Sequence, residues 1–327
     1  MIGGRVAVTG VSGYLGQRLL HVLAAHPPGD AVIGVDWRPP PFAPPLLRFV
    51  RMDVRDPALA DLLRAEQVDA LVHLAFIMQP ARDRQWMRAV NVEGTRAVLE
   101  AVARAGASQV VFISSVAVYG AHPDNPIPLS EESPLRPNAD YPYALDKAEA
   151  DALTQDFAVQ HPGVAVTILR PAIVLGPHVD NFFSRYLSRW PLLLAVRGGD
   201  GPMQFVHEDD AAACIVACLR QRARGIYNLA GEGSLGWREV LRRTRRPFVT
   251  LPAWWAYLVA ALLWRVRASL VAPPGQLAWV RFPSVVGTER LEREIGFRPR
   301  HSTAEALADF LRASLRRERI RGSQPRR

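Results

Sequence analysis

Tyr143 and Lys147 stand four residues apart near the start of a helical pattern, so their side chains leave one helix face together. A phenol beside an ammonium suits proton transfer to and from a hydroxyl, the step that accompanies removal of hydride from a carbinol carbon. A free tyrosine titrates near pH ~10, far from working pH. A neighbouring ammonium favours the phenolate and lowers that value, which makes the phenol a usable general acid or base. The same ammonium can hold ribose hydroxyls. Of the 40 Lys and Arg residues, 39 are Arg and Lys147 is the one Lys. A planar, permanently charged guanidinium cannot take over both tasks. Tyr141 has no such partner, because position 145 is Leu, and Tyr119 sits in a Val-Tyr-Gly turn as a wall residue. Ser115 follows the apolar run Val110–Ser114. A hydroxyl at the carboxyl end of a parallel strand faces the ligand crevice, where it can hydrogen-bond a substrate oxygen. The plainer role for Ser115 is a cap on the strand end.

A second group of residues suits phosphate. The strand-like Arg5–Thr9 runs into Thr9-Gly10-Val11-Ser12-Gly13-Tyr14-Leu15-Gly16, and a helical pattern follows. Glycines at 10, 13 and 16 fit a tight turn, a close backbone approach to a pyrophosphate and close helix–sheet packing. The helix N-terminus adds free N–H groups and a positive dipole end. Asp36 closes the next strand, 20 residues beyond Gly16. A carboxylate there accepts from ribose hydroxyls and repels a 2′-phosphate, so the expected cofactor is NAD. Arg38, two residues on, softens that preference and leaves NADP open. No metal ligand set is expected.

These groups need a scaffold. Arg5–Thr9, Ala31–Asp36, Phe49–Asp53, Ala70–Ala75, Val110–Ser114 and Val164–Arg170 are short, Val- and Ile-rich runs bounded by turn residues. Helical periodicity occupies Tyr14–Ala25, Leu59–Gln67, Trp86–Ala105 and Ala144–Gln160 between them. This alternation predicts an α/β protein with a doubly wound parallel sheet. After Arg170 the pattern loosens around Pro171, Pro177, Pro191 and the cluster Gly198–Gly201. Strand material returns at Phe205–Val206 and Ile226–Leu229, with a helix over Asp209–Arg222 between them. The expected organisation is a Rossmann-type domain over 1–171 and 203–230. A smaller, discontinuous substrate lobe takes 172–202 and 231–300, followed by a helix over 301–319 and a basic tail over 320–327.

With these residues in place, the chain resembles the extended short-chain dehydrogenases/reductases of the NAD-dependent epimerase/dehydratase group, over nearly its whole length. Further marks are Asp53-Val54-Arg55-Asp56, His73-Leu74-Ala75, Asn91-Val92-x-Gly94-Thr95 and Ser114-Ser115-x-x-Val118-Tyr119-Gly120. Leu169-Arg170-Pro171 and Phe205-Val206-His207-x-Asp209-Asp210 complete the set. The resemblance implies a catalytic triad of Ser115, Tyr143 and Lys147. It implies cofactor contacts from Gly10, Gly13, Tyr14, Leu15, Gly16 and Asp36, with Asp53 and Val54 by the adenine. Leu74 and Ala75 would line the groove, Pro171 would lie beside it, and Asn91 would brace the sheet. Two departures stand out. Asp146 occupies a position that is usually Ser, and it adds a carboxylate beside the ammonium. Met203 and Gln204 precede the Phe-Val-His run where nucleotide-sugar members often carry Arg, a role open to Arg185, Arg189 or Arg197.

The remaining features bear on substrate and partners. With 49% hydrophobic and 22% charged residues over 327, the chain is neither disordered nor fibrous. Cys214 and Cys218 are expected as small core residues of a reduced protein. The opening MIGGRVAVTG shows no export pattern, so a cytoplasmic protein is expected. Net charge is +9, of which +6 lies between Arg312 and Arg327, a solvated terminus rather than a nucleic-acid site. Pro247–Trp264 is uncharged but divided by Pro252, too short to span a membrane. It is expected as a packed helix of the lobe, an apolar wall admitting a lipophilic, sterol-like substrate, or an interfacial helix in peripheral membrane contact. The predicted activity is NAD(P)-dependent hydride transfer at a secondary alcohol or ketone carbon of a small molecule. Its alternatives are a nucleotide-sugar epimerase and, in another class, an idle cofactor-binding sensor or RNA-contacting protein. Ser115–Ala117 offers no carboxylate for a dehydratase. A homodimer through Trp86–Ala105 and Ala144–Gln160 is implied by resemblance.

Overall fold

The computed structural model describes residues 4–27, 31–78, 83–267 and 274–322. Six short strands alternate with helices through the first half: β1 (Arg5–Thr9), β2 (Val32–Asp36), β3 (Leu47–Arg51), β4 (Val68–His73), β5 (Gln109–Ile113) and β6 (Ala165–Pro171). Between them run α1 (Tyr14–Ala25), α2 (Leu59–Ala65), α3 (Arg84–Arg88), α4 (Gly94–Ala105) and α5 (Pro142–Gln160). The second half adds β7 (Ile173–Leu175), α6 (Phe182–Arg189), β8 (Leu193–Val196), β9 (Pro202–Met203), β10 (Phe205–His207), α7 (Glu208–Gln221) and β11 (Gly225–Leu229). It continues through β12 (Leu235–Gly236), α8 (Trp237–Thr244), β13 (Phe248–Leu251), α9 (Ala253–Arg267), α10 (Leu277–Arg281), α11 (Glu289–Ile295) and α12 (Thr303–Gly322).

Seven strands form one parallel sheet in the order β11-β6-β5-β4-β1-β2-β3. Chain direction across the sheet reverses between β1 and β4, so the helices that follow these two strands, α1 and α4, pack on opposite faces of the sheet and the ligand crevice of such folds falls at the strands' carboxyl ends. The strands are short and β-branched, and their two faces are buried under separate helical layers. On one face Leu19, Leu20 and Leu23 of α1 pack with Cys214, Ile215 and Leu219 of α7. On the other, Leu59 and Leu63 of α2 pack with Val98 and Val102 of α4 and Phe157 of α5. The chain thus has the doubly wound architecture its alternation predicted, and both cysteines are buried in the core.

Several sequence boundaries move; the strand expected over 70–75 spans 68–73. The third strand spans 47–51 rather than 49–53, since β2 pairs Val32 with Leu47, and Asp53 lies past its carboxyl end. The helix expected over Trp86–Ala105 is broken by a wide π-type turn at Ala89–Glu93 that carries Asn91.

A separate apolar cluster joins Leu187, Leu193 and Ala195 to Phe205, Trp237, Val240, Leu307 and Phe310. It ties α6, β8 and α8 to the C-terminal helix α12. Leu291 and Ile295 of α11, which the sequence assigns to the lobe, pack instead with the sheet core beside α7. Among the described residues no helix is long and apolar enough to cross a membrane. Residues 323–327 of the expected basic tail lie outside the described residues, and 320–322 continue α12.

Candidate active site

The glycine loop is built by close packing. Gly10 has φ +73°, and a Cβ there would sit 2.5 Å from the Ala75 nitrogen; one at Gly16 would sit 2.4 Å from the Gly10 oxygen. The loops after β1 and β4 therefore touch, and only glycine permits it. Gly13 is the N-cap of α1, with no side chain capping it and no acidic residue in the first turn. The N–H groups of Tyr14 and Leu15 thus face the crevice mouth uncapped, as an anion site requires. Asp36 is 7% exposed; its Oδ2 accepts from the Ser12 amide at 3.0 Å and its Oδ1 from the Arg38 amide at 3.3 Å. The carboxylate so stands at the mouth of the glycine loop. The Tyr14 hydroxyl is turned away and donates to buried Glu208 at the start of α7, so Tyr14 ties the loop to the second half of the chain.

Leu74 and Ala75 follow β4, and the Leu74 amide donates to the Thr9 oxygen at 3.0 Å. Below them His73 bridges two threonines, with Nδ1 2.7 Å from Thr9 Oγ1 and Nε2 3.1 Å from Thr95 Oγ1. The Thr95 hydroxyl donates to the Asn91 oxygen, so the ring must donate from Nε2. Burial, then the Lys147 charge, pushes His73 down to about 3, and the ring stays neutral. Val54 is buried against Gly94, while the exposed Asp53 pairs with Arg55 through both oxygens, which holds its carboxyl below the usual range. Pro171 ends β6 and is buried.

Ser115, Tyr143 and Lys147 meet at the carboxyl ends of β5 and β6. Ser115 Oγ accepts from the Ala117 amide at 3.1 Å, so it does cap the strand end as its plainer role required. Its proton remains to donate, and its hydrogen bond to Tyr143 favours the phenolate. Burial outweighs that and raises Tyr143 to about 12. Lys147 is 4% exposed; Nζ donates to the Ile113 oxygen at 2.5 Å and lies 3.6 Å above the Phe76 ring. Burial lowers the ammonium to about 7, against a raising contribution from Asp151. The expected depression of the phenol by Lys147 is therefore not what this geometry provides. Phe76, edge-on to Tyr143 at 5.7 Å, packs against both groups.

Asp146 does not approach the ammonium. Adjacent helix positions diverge, and its Oδ2 accepts from Arg84 at 2.9 Å and from Asn91 at 3.0 Å. Asn91 also accepts from the Ile77 amide at 2.7 Å and donates to the Ile77 oxygen at 3.2 Å. It braces the loop that carries Phe76. Asp151 lies one further turn along α5, fully buried, and takes two hydrogen bonds from Arg170 at 2.9 and 2.8 Å and one from Ser114 at 2.5 Å. Ser114 is thereby spent on the scaffold, and Ser115 alone faces the phenol. Sequence reasoning missed Phe76, Arg84 and Asp151. Asp151 carried a signal, four residues beyond Lys147 on the same helical face; the other two carried none.

The remaining expectations separate. Met203 is buried, and Gln204 Oε1 accepts from the Val286 amide at 2.8 Å. Arg185 and Arg189 share Asp180 at the surface, and Arg197 is exposed. Trp279 meets Tyr141 edge-on at 6.4 Å, next to Tyr143. Trp254 and Trp255 do not join them: they are 64% and 45% exposed, so α9 does not wall the site with its tryptophans.

A family model described as the NAD dependent epimerase/dehydratase family matches residues 6–230. The chain belongs to this family. Within it, an uncharacterized protein of Mycobacterium tuberculosis strain H37Rv is 30% identical over 316 residues, covering 94% of this chain and 83% of that protein. The crystal structure of DesIV, a dTDP-glucose 4,6-dehydratase from Streptomyces venezuelae with NAD bound, is 28% identical with a TM-score of 0.76, over 97% of this chain and 98% of that one. MoeE5 in complex with UDP-glucuronic acid and NAD is 26% identical with a TM-score of 0.77, over 96% and 100%.

Proposed function

We propose that this protein is an NAD-dependent oxidoreductase or epimerase of the epimerase/dehydratase family, working at a secondary hydroxyl carbon of a nucleotide-linked sugar. The observation that carries this reading is the convergence of the glycine loop, Ser115, Tyr143 and Lys147 at the carboxyl ends of one parallel sheet. The residues fit a dinucleotide: an uncapped helix start for the pyrophosphate, a carboxylate at Asp36 for the ribose, and a loop with no room for side chains. Asp53 and Val54 by the adenine, and Leu74, Ala75 and Pro171 along the groove, belong to the same reading. Bound NAD would accept hydride from the carbinol carbon and return it.

The chain's own groups manage the proton and the oxygen. Tyr143, raised to about 12, is a phenol at neutral pH and is set to protonate a carbonyl oxygen; in the other direction it must first lose its proton. Ser115, held by the Ala117 amide, has one hydroxyl proton, which faces the phenol and would turn to the same substrate oxygen. Lys147 supplies positive charge and hydrogen bonds beneath the phenol. Sugar-linked substrates are favoured over sterol-like ones because α9 turns its apolar side chains to the surface and because two similar structures hold NAD, one of them with UDP-glucuronic acid. Epimerisation or simple oxidoreduction is favoured over loss of water. Val116 and Ala117 are apolar and 5% exposed each, where elimination would need an acid–base pair. The retained Tyr–Lys pair speaks against an idle sensor. A cytoplasmic homodimer through α4 and α5 completes the reading.

The test is turnover of UDP-glucose, UDP-glucuronic acid and dTDP-glucose with NAD, with products resolved by NMR. Tyr143→Phe is expected to lose about 10²–10⁴ in kcat with NAD binding retained. Unchanged turnover in that variant, or a product that has lost water, would sink the assignment.

A further inference from the structure

Helix α9 is an apolar helix with its greasy face outward. Trp254, Trp255, Leu258, Leu262 and Leu263 are all exposed, from 38% to 64%, while the small Ala256 and Ala260 point inward. Trp254, Trp255, Leu258 and Leu262 fall at three- and four-residue steps, so they make one stripe along the helix, with Leu263 at its flank. Val249, on the strand leading into α9, is also 40% exposed. An apolar face of this kind on a folded chain marks a contact surface.

The charge around it identifies the partner. Residues 240–288 contain seven Arg and no Asp or Glu. Arg265 lies one turn beyond Leu262 on the same stripe; Arg245 lies at the C-cap of α8. Both are exposed and make no ion pair among the described residues. Arg242 and Arg243 share one carboxylate, Glu239. A cleft of about 450 Å³ between α6, α12 and the end of α8 gathers Arg242, Arg243, Arg245, Arg246 and Arg312.

We propose that α9 and its arginine rim dock the protein on an anionic phospholipid bilayer. The helix lies in the interface with Trp254, Leu258 and Leu262 among the acyl chains. At ~22 Å it is too short to cross a core of ~30 Å, and length is no bar to lying flat. Tryptophan suits this boundary, with an apolar ring and a donating N–H. Arg265 and Arg245 reach lipid phosphates, since guanidinium pairs with them through two parallel donors. A second copy of the chain fits less well. An isologous pair would oppose two arginine-bearing faces with no carboxylate from 240 to 288 to neutralise them. The docking stands apart from the turnover reading, because α9 holds none of the residues assigned to proton transfer.

The experiment is flotation of the full chain with vesicles of phosphatidylcholine plus phosphatidylglycerol, and with phosphatidylcholine alone. Binding to the mixed vesicles is expected, falling as salt rises. Trp254→Gln/Leu258→Gln/Leu262→Gln should lower it at least ~10-fold with unchanged circular dichroism and unchanged NAD binding. Should that variant misfold, Arg265→Gln serves instead, and should weaken binding to the anionic vesicles severalfold. Three results overturn the proposal: no flotation with either vesicle, flotation that the variants leave intact, or a concentration-dependent dimer that the triple variant abolishes in the absence of lipid.

Discussion

Lys147 holds its place at a cost to the fold. Burial brings its ammonium from an ordinary 10.5 to about 7, while Phe76 below it and the Ile113 oxygen beside it recover only part of the lost hydration. Between these two values the unfolded chain carries a proton that the folded chain lacks. Stability therefore rises with pH across that window, and the penalty is complete below about pH 7. Lys147→Met removes the charge and keeps the chain length. It is expected to unfold at higher denaturant than the parent near pH ~6, by at most about 5 kcal/mol, at about 1.4 kcal/mol for each tenfold. That gain should shrink to nothing by pH ~10.5, while turnover is lost. Paired urea titrations at the two pH values measure it; a variant less stable than the parent at the lower pH would show that the buried charge is not penalised. The phenol was the other surprise at this scale. A Tyr–Lys spacing of four is visible in the sequence, but whether the ammonium lowers the phenol or the interior raises it depends on how much water the fold excludes.

At the scale of elements, the π-type turn at Ala89–Glu93 matters more than the helices it joins. The extra residue rotates Asn91 out of the α4 register and toward the loop after β4. There its amide clasps Ile77 at both nitrogen and oxygen, and Asp146 and Arg84 lock it from behind. Phe76, one residue away, is thereby positioned under Lys147. Asn91→Ala should cost about 1–3 kcal/mol, because the Ile77 backbone and the Asp146 carboxylate lose a buried partner. It should also raise the KM for cofactor more than Asp53→Ala does, since Asp53 spends its carboxylate on Arg55 at the surface. Thermal melts and initial rates of both variants decide this. An Asn91→Ala protein with normal melting and normal KM would remove the loop-positioning role.

At the scale of the whole molecule, two devices hold the halves of the chain together. One is the buried cluster of Asp151, Arg170, Tyr119 and Asn228, which links α5, β6 and β11 to the turn that follows Ser115. The other is α12, whose Ala306, Leu307 and Phe310 are fully buried against Phe205 and Trp237. Phe310→Ala should destabilise by about 3–5 kcal/mol through loss of contact and the cavity left behind, and calorimetry of the variant measures it. Removing residues 314–327 takes away the basic end without touching that cluster, so melting and turnover should survive. Loss of folding in the truncated chain would place the anchor further along α12 than Phe310.

Much of this was legible in the residues themselves. The strand–helix alternation, the three glycines, Asp36 and the single lysine four residues past a tyrosine each carry a local reason for what they do. Backbone conformation, loop geometry and helix periodicity act over a few residues, so sequence determined the sheet, its carboxyl edge and the meeting of Ser115, Tyr143 and Lys147 there. What tertiary structure alone decided is where side chains end up relative to water and to distant partners. Asp146, beside Lys147 in the chain, is drawn to Arg84 and Asn91; Phe76 becomes the floor of the site; α9, as apolar as a core helix, faces outward. None of these has a local cause, because burial is a property of everything packed around a residue, and the chain's own order does not contain it.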